Sequence, residues 1–440
     1  MVESLVTLVT NPIIISVILL CILCLCRVNV LLSLIISSVV AGIVSGADLS
    51  EIMNIFISGM GGNSETALSY ILLGAFAASM THTGLAPILS KKIANTIKSK
   101  KYTLIFILTG IAILSQNLIP VHIAFIPILI PPLLAVMNEL QIDRRSVACA
   151  LAFGLKAPYI VIPAGFGLIF QGLIAENMIQ NGVEIAKNEV WKYTWILGLG
   201  MLIAFLIAIF ISYRKPRIYN NNETKAELQD KNLHLNKSHY ITLAAAVLTL
   251  VVQLWTKSLP LGALVGLAVI FGFRAIDHDK MDKLINEGVG LMGYVAFVML
   301  VAAGFAAVIK STGGIDSLVN SIVPFMAYSK VLATILMMLV GLFITMGIGT
   351  SFGTIPILAV LYVPICVKLG FSIPSIIIIL TAAAALGDAG SPASDTTLGP
   401  TAGLNADGQH NHIWDTCIPT FLHYNLSLII FAVIAVAILN

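Results

Sequence analysis

Charge is what this sequence has least of. Only 10% of its 440 residues are Asp, Glu, Lys or Arg, against roughly a quarter in soluble domains, and that scarcity excludes a water-soluble globule. Cysteine is sparse as well. The six (Cys21, Cys24, Cys26, Cys149, Cys366, Cys417) all fall in apolar runs and read as buried small hydrophobes. Cys21, Cys24 and Cys26 lack the His or acidic company of a metal site. No small-residue cleavage site follows the first apolar run, Leu5 to Cys26, so it reads as a first span rather than a signal peptide. A net charge of +3 points to no nucleic acid, because basic residues in such chains report topology.

What is present is hydrophobic length. With 58% hydrophobic residues and a mean hydropathy of +0.99, nearly the whole chain divides into runs of about 20 residues, enough to cross a bilayer. The expectation is an all-α, multi-pass protein of the cytoplasmic (inner) membrane, with lipid as its main partner.

The sequence also repeats. Adding 229 to a residue number carries Phe76-Ala-Ala78 onto Phe305-Ala-Ala307, Thr83-Gly84 onto Thr312-Gly313, Ile126-Pro-Ile-Leu129 onto Ile355-Pro-Ile-Leu358, and Pro163-Ala164 onto Pro392-Ala393. Ile and Leu matches are cheap here, but prolines and a Thr-Gly pair held at one offset are not. The reading is a repeat over 1–213, a polar cytoplasmic linker over 214–238 without chemistry of its own, and a second repeat over 239–440. Spans are expected at 5–26, 28–46, 67–84, a Pro-broken pair 102–118 and 120–137, 146–170 and 191–213. The second copy gives 239–256, 259–274, 288–309, 330–348 with 351–368, 372–400 and 416–439.

Lys91, Lys92, Lys98, Lys100 and Lys101 precede the Pro-broken pair, and Arg144 and Arg145 follow it. Basic flanks favour the cytoplasm. The pair then enters and returns as a re-entrant hairpin tipped by Ser115-Gln116-Asn117, leaving an odd number of crossings per repeat. Two inverted-topology repeats follow, with about ten spans, two re-entrant hairpins and broken helices at the midplane. Both termini are expected outside. Leu85 to Ser99 and Gly314 to Ser329 read as interfacial helices.

The chemistry concentrates at Gly387-Asp-Ala-Gly-Ser-Pro-Ala-Ser-Asp-Thr-Thr-Leu-Gly-Pro-Thr401, directly after the apolar run Ile376 to Leu386. Glycines and prolines unwind the helix there and free carbonyls at membrane depth, which is tolerated only inside protein or beside a wet cavity. Carboxylates at that depth mark ion or proton sites. Asp388, Asp395, Ser391, Ser394, Thr396, Thr350 and Ser351 are the candidate ion and proton ligands, with Asp388 and Asp395 as the Na+ carboxylates. Asp395 also precedes an apolar run and could cap a half-helix. Ser115, Gln116, Asn117, His122 and Lys156 are candidate substrate-binding residues. At the offset, Tyr159 and Phe166 stand for Asp388 and Asp395, and Lys156 for Ala385, so one copy supplies negative charge and the other a counter-ion. The run Asn405 to Asp415, with His410 and His412, reads as a turn and helix start, with a pH role as the alternative.

The string Gly387-Asp-Ala-Gly-Ser-Pro-Ala-Ser-Asp-Thr-Thr, with Asn405 to His412 and Ile413-Trp-Asp-Thr416, resembles the NhaC-like Na+/H+ antiporters of the ion transporter superfamily. That resemblance implies a scaffold-plus-transport-domain fold, a homodimer and an elevator-type shift. Ala389 stands where antiporters often carry Lys, and the longer loop is similar to a branch suspected of moving amino acids, histidine among them.

Two functions fit these residues. One is Na+/H+ antiport; the other is a Na+- or H+-coupled permease for an amino acid, for which the hairpin-tip amides would supply contacts. No organic cofactor is expected, only Na+ and H+ as coupling ions, and no enzymatic activity. An intramembrane aspartyl protease takes its two aspartates from different helices, whereas Asp388 and Asp395 share one segment. A channel fits paired hairpins less well than alternating access does.

Overall fold

The computed structural model describes residues 10–26, 28–84, 100–117, 126, 129–220, 236–256, 258–326, 328–348, 350–392 and 394–440. The side chains of several residues within helices, Asn117 and Asp395 among them, lie outside this description. So do the predicted interfacial helix over 85–99, His122 and most of the linker.

The described residues form helices and no strand. In chain order they are α1 (Pro12–Leu25), α2 (Val30–Val44), α3 (Leu49–Met60), α4 (Ser64–His82), α5 (Lys101–Asn117), α6 (Leu134–Glu139), α7 (Arg144–Val161), α8 (Phe166–Gln180) and α9 (Trp191–Ile207). There follow α10 (Lys237–Thr256), α11 (Leu259–Gly272), α12 (Met281–Ser311), α13 (Gly314–Met326), α14 (Lys330–Ile348), α15 (Ser351–Lys368), α16 (Ile373–Ala385), α17 (Asp395–Leu404) and α18 (Leu426–Leu439). Wide π-helical turns at His412–Cys417 and Phe421–Asn425 lead into α18.

Among these residues, five helical stretches are long and apolar enough to cross a membrane, or six if α7 and α8 count as one span. That pair bends by 48° at residues 162–165. The span expected over 146–170 is thus two half-helices, and the one over 372–400 divides likewise into α16 and α17.

The sequence offset recurs in the helix bounds. The starts of α2 and α11 (30, 259), α5 and α14 (101, 330), α7 and α16 (144, 373) and α8 and α17 (166, 395) all differ by 229. Gly84 and Gly313 carry positive φ at the same separation, as do Gln141 and Gly370.

Burial sorts the helices into inner and outer sets. Residues 146–160 of α7 and 375–385 of α16 are buried without interruption, as are 351–363 of α15. These three sit inside the protein with α8. Outer helices turn large apolar side chains outward, such as Trp195, Val247, Leu254 and Phe343, the surface that lipid rather than water covers. Elsewhere small residues let backbones meet. On Gly288 of α12 a Cβ would lie 2.2 Å from the Ala75 nitrogen of α4, so only glycine permits that approach.

Within the linker's largely exposed first residues, 214–220, Arg217 and Tyr219 are held against the helices. The Arg217 amide donates to Gln141 O at 3.1 Å, its guanidinium reaches Asp415 at 2.7 Å, and the Tyr219 hydroxyl accepts from the Arg144 amide at 3.0 Å. They are held because fully buried Arg144 recruits a polar environment. Its guanidinium donates to Asp407 at 2.6 and 2.5 Å, to Leu404 O and to Asn138 Oδ1, each at 2.9 Å, and lies over the Tyr219 ring. Burial raises the Asp407 carboxyl, but the Arg144 hydrogen bonds and charge outweigh it and hold that carboxyl below its ordinary value.

This pair ties the start of α7 to the end of α17. Arg144→Ala, which strands Asp407 with a 2% exposed side chain, should cost about 3–5 kcal/mol, read as a lower unfolding temperature in detergent. Because the Asp407 pKa is depressed on folding, the contribution is in force above its unfolded value and fades as acid reaches the folded one. An Arg144→Ala protein that melts with wild type at neutral pH would remove this tie from the account.

Candidate functional site

The second helix break is built by residues that cannot continue a helix. α16 ends at Ala385, Leu386 is extended, and Gly387 and Gly390 take φ of +80° and +100°. Beyond them Pro392 has no amide proton to give. Close packing enforces glycine: a Cβ on Gly390 would lie 2.5 Å from Phe421 Cβ, and one on Gly387 2.8 Å from the Met346 nitrogen. Asn425 satisfies the freed backbone, accepting from Gly387 N at 3.2 Å and donating to Ala389 O at 2.9 Å. Ser394, not Asp395, is the N-cap of α17, accepting from Thr396 N at 3.2 Å.

Within this break Asp388 is 6% exposed and surrounded by hydroxyls. Its Oδ2 accepts from Ser351 Oγ at 2.8 Å and from the Tyr159 hydroxyl at 3.0 Å. Its Oδ1 accepts from Ser394 Oγ in a short hydrogen bond and from Thr396 Oγ1 at 3.4 Å. Thr396 also donates to Asp388 O at 3.0 Å. Asp388, Ser351, Ser394 and Thr396, predicted together, are therefore in one cluster. Ser391 lies at its edge, its amide 3.4 Å from Asp388 O and its carbonyl accepting from Thr397 at 2.5 Å.

The other predicted residues are placed differently. Thr350 precedes α15, where its carbonyl accepts from Thr354 at 2.7 Å; it makes no hydrogen bond to Asp388. Ser115 turns back onto Ala112 O at 2.9 Å, and buried Gln116 has an Oε1 without a partner among the described residues. Neither reaches Asp388. The side chains of Asn117 and Asp395, and all of His122, lie outside the described residues. Fully buried Lys156 donates to Ala385 O, the last residue of α16, where the helix presents the negative end of its dipole.

Tyr159 is the residue sequence reasoning left out. The signal was there: Tyr159 and Asp388 are related by the offset of 229, as are Lys156 and Ala385, and both pairs touch. Behind Tyr159 an aromatic cluster closes the site. Phe170 and Phe352 lie 4.8 and 5.3 Å from its ring, and Phe352 in turn meets Phe166 and Tyr70 at 6.0 and 5.9 Å.

The first break is made by Pro163, whose missing amide proton leaves the Tyr159 carbonyl without its helical donor. Gln171 Nε2 donates to Ile160 O at 3.1 Å and Tyr159 O at 3.5 Å, and Thr194 donates to Ile160 O at 2.7 Å. A cavity of about 220 Å³ adjoins this break rather than Asp388, lined by Pro163, Gln171, Ser69, Glu65, Glu176 and Lys187 among others.

A buried carboxylate ringed by hydroxyl oxygens, where broken helices meet inside a shell of apolar helices, is the architecture of a membrane transporter. The chain belongs to the Na+/H+ antiporter family: one model of that family matches residues 150–436, and a second, also described as a Na+-H+ antiporter family, matches residues 11–97. An uncharacterized membrane protein of Vibrio parahaemolyticus is 46% identical, covering 98% of this chain and all of that protein. YuiF of Bacillus subtilis, whose name proposes amino acid transport, is also 46% identical over 98% of this chain and all of its own length. The fold is similar to that of the YdaH transporter of Alcanivorax borkumensis, with a TM-score of 0.58 and 14% identity over 89% of this chain and 88% of that one. The antimetabolite efflux pump MtrF of Neisseria gonorrhoeae gives 0.56 and 16% over 89% and 85%.

The backbone of the break is open to test. Gly390→Ala meets both a left-handed φ and Phe421, whereas Gly408→Ala meets a φ of +76° with no atom within 4 Å. Backbone strain alone costs about 1–3 kcal/mol, so Gly390→Ala should lower the unfolding temperature clearly more than Gly408→Ala. Equal losses would show that the break is not packed against Phe421.

Proposed function

We propose that this protein is a secondary transporter that exchanges Na+ for H+ across the cytoplasmic membrane at Asp388. The observation that carries the reading is the set of atoms around that carboxylate. Ser351, Ser394 and Thr396 offer oxygen only, the donors that hard cations take. Each hydroxyl now points a proton at Asp388. When a cation enters, the hydroxyls rotate and turn lone pairs toward it, and the carboxylate supplies the charge. When a proton arrives instead, Asp388 is neutralised and the hydroxyls lose the cation they held. Competition for one carboxylate couples the two flows. Tyr159 and the aromatic rings behind it exclude water from one side, so exchange occurs through the other.

In this reading the two halves are inverted repeats joined by a cytoplasmic linker, Asp395 contributes a second carboxylate, Lys156 is the intramembrane counter-ion, and the protein works as a homodimer. The family and the fold are those of membrane transporters, which supports transport rather than an enzymatic reaction. A second reading, coupled uptake of an amino acid, is favoured by two observations: the name of YuiF, and the cavity beside Pro163, which has room for a small zwitterion and carries Glu65, Glu176 and Lys187.

Purified protein in liposomes with an internal pH dye separates the two. Na+ alone should move protons in wild type, and Asp388→Asn should reduce that movement to the level of empty liposomes. If Asp388→Asn exchanges normally, the carboxylate is not the site. If wild type moves protons only once an amino acid is added, uptake replaces exchange as the function.

A further inference from the structure

A second cavity, of about 360 Å³, lies where the turn between α3 and α4 meets the ends of α8 and α12. It shares no lining residue with the cavity beside Pro163 or with the Asp388 cluster. Its polar lining includes Lys310, Gln180, Asn177 and Asn63.

Lys310 is half-buried, one residue before the end of a membrane-length helix. Its ammonium donates to the carbonyl of Gln180, the last residue of α8, at 3.0 Å. Capping α8 in this way uses one of its three protons. Among the described residues no Asp or Glu lines this cavity, and no carboxylate pairs with Lys310. In the cavity beside Pro163, by contrast, Lys187 is already paired with Glu176. A partly buried ammonium at the end of a membrane span is costly without a counter-charge, and two of its protons point to an anion.

The amides define what else that anion carries. Asn63 and Asn177 are each 3% exposed. Asn63 Nδ2 donates to Met299 O at 3.0 Å, and Asn177 Nδ2 to Leu173 O at 2.9 Å. A carbonyl only accepts, so these bonds fix which way each amide faces. Both Oδ1 atoms remain as acceptors, without a donor among the described residues. Two amide oxygens repel a bare anion such as chloride, but they hold an N–H or O–H. Asn177 stands three residues before Gln180 on α8, about 4.5 Å along the axis, so a ligand of a few heavy atoms reaches from the ammonium to an amide oxygen.

We propose that this cavity binds a small carboxylate that carries a hydrogen-bond donor on the neighbouring carbon, as a 2-amino or 2-hydroxy acid does. Lys310 pairs with the carboxylate, and the Asn63 and Asn177 oxygens accept from the donor. The volume falls within the roughly 300–1,000 Å³ of small-molecule sites. The site does not depend on cation exchange at Asp388.

Binding would be measured on the purified full-length protein in Na+-free buffer, as a dissociation constant and as the rise in unfolding temperature that ligand produces, so its failure and the failure of Na+/H+ exchange are separate results. Four probes share a three-carbon chain: alanine, lactate, propionate and propylamine. Alanine and lactate should bind. Propionate lacks the donor and should bind about tenfold more weakly than alanine, the value of one such hydrogen bond; propylamine lacks the carboxylate and should not bind. Lys310→Met keeps the apolar stem without the charge and should weaken alanine binding about tenfold or more, and Lys310→Arg should recover most of that loss. Should Lys310→Met fail to fold, Gly62→Ala keeps the test open. Its added methyl would meet Ala303 Cβ at 3.7 Å and Gln180 Nε2 at 3.9 Å, ordinary contact distances, so without ligand it should unfold with wild type while binding alanine more weakly. Wild type that binds neither alanine nor lactate, or binding that both Lys310→Met and Gly62→Ala leave unchanged, would overturn the site. Equal affinity for propionate and alanine would remove the amides from it. Stabilisation by phosphatidylglycerol and by none of the acids would make the occupant a lipid headgroup and overturn the proposal as well.

Discussion

A helix cannot stop inside a membrane without leaving backbone groups that need partners, and the interior of this protein is arranged to supply them. At the first break the Tyr159 and Ile160 carbonyls are met by Gln171 and Thr194. At the second, Ala385 O is met by Lys156, and Gly387 and Ala389 by Asn425. An unpartnered peptide group in an apolar interior costs several kcal/mol, so each of these side chains is fixed by need. The burial of α7, α15 and α16 follows, because only an enclosed position keeps lipid away from such backbone.

The two breaks share a plan but have diverged in charge. Helix starts recur at an offset of 229, and the residues on which the halves meet are offset partners: Tyr159 with Asp388, Lys156 with Ala385. Positions related by the offset touch here, so a difference between them is felt directly. One copy has the phenol and the other the carboxylate, and the phenol donates to the carboxylate. Phe166, the counterpart of Asp395, joins the aromatic cluster instead. The meeting point is thereby a single polar site with an apolar wall.

Much of this was legible in the sequence, because the features that break helices are covalent. Pro163, Pro392 and the Gly387 to Gly390 pair mark where the chain unwinds whatever surrounds it, and a carboxylate in apolar sequence needs explanation before any contact is known. The offset even named the residues that touch. What could not be read was side-chain direction. Thr350 has the right chemistry beside the right break, but its position just ahead of α15 gives it no hydrogen bond to Asp388. The anchoring of Arg217 and Tyr219 was hidden for a different reason: they lie in a stretch whose polar composition is that of a linker, and only the fold shows that Tyr219 meets buried Arg144.

Lys156 bears on how such a site could treat its two cargoes alike. In the proposed function Lys156, at the carbonyl end of α16, is the counter-ion of the carboxylate three residues beyond that end, and the two would form a pair of zero net charge. In the proposed exchange, adding Na+ or adding H+ brings the pair to the same net charge of +1. The charge term is then common to both ions, and the low-dielectric surroundings, which magnify any difference in charge, do not by themselves prefer either. Preference must come from what the oxygens can do. A proton needs one carboxylate oxygen, whereas Na+ needs several oxygens at once, and Asp388 is met at Oδ2 by Ser351 of α15 and at Oδ1 by Ser394 and Thr396 from the start of α17. On the proposed exchange, the helix break that brings α15 and α17 together would therefore govern selectivity through geometry, with the charge of Lys156 common to both ions.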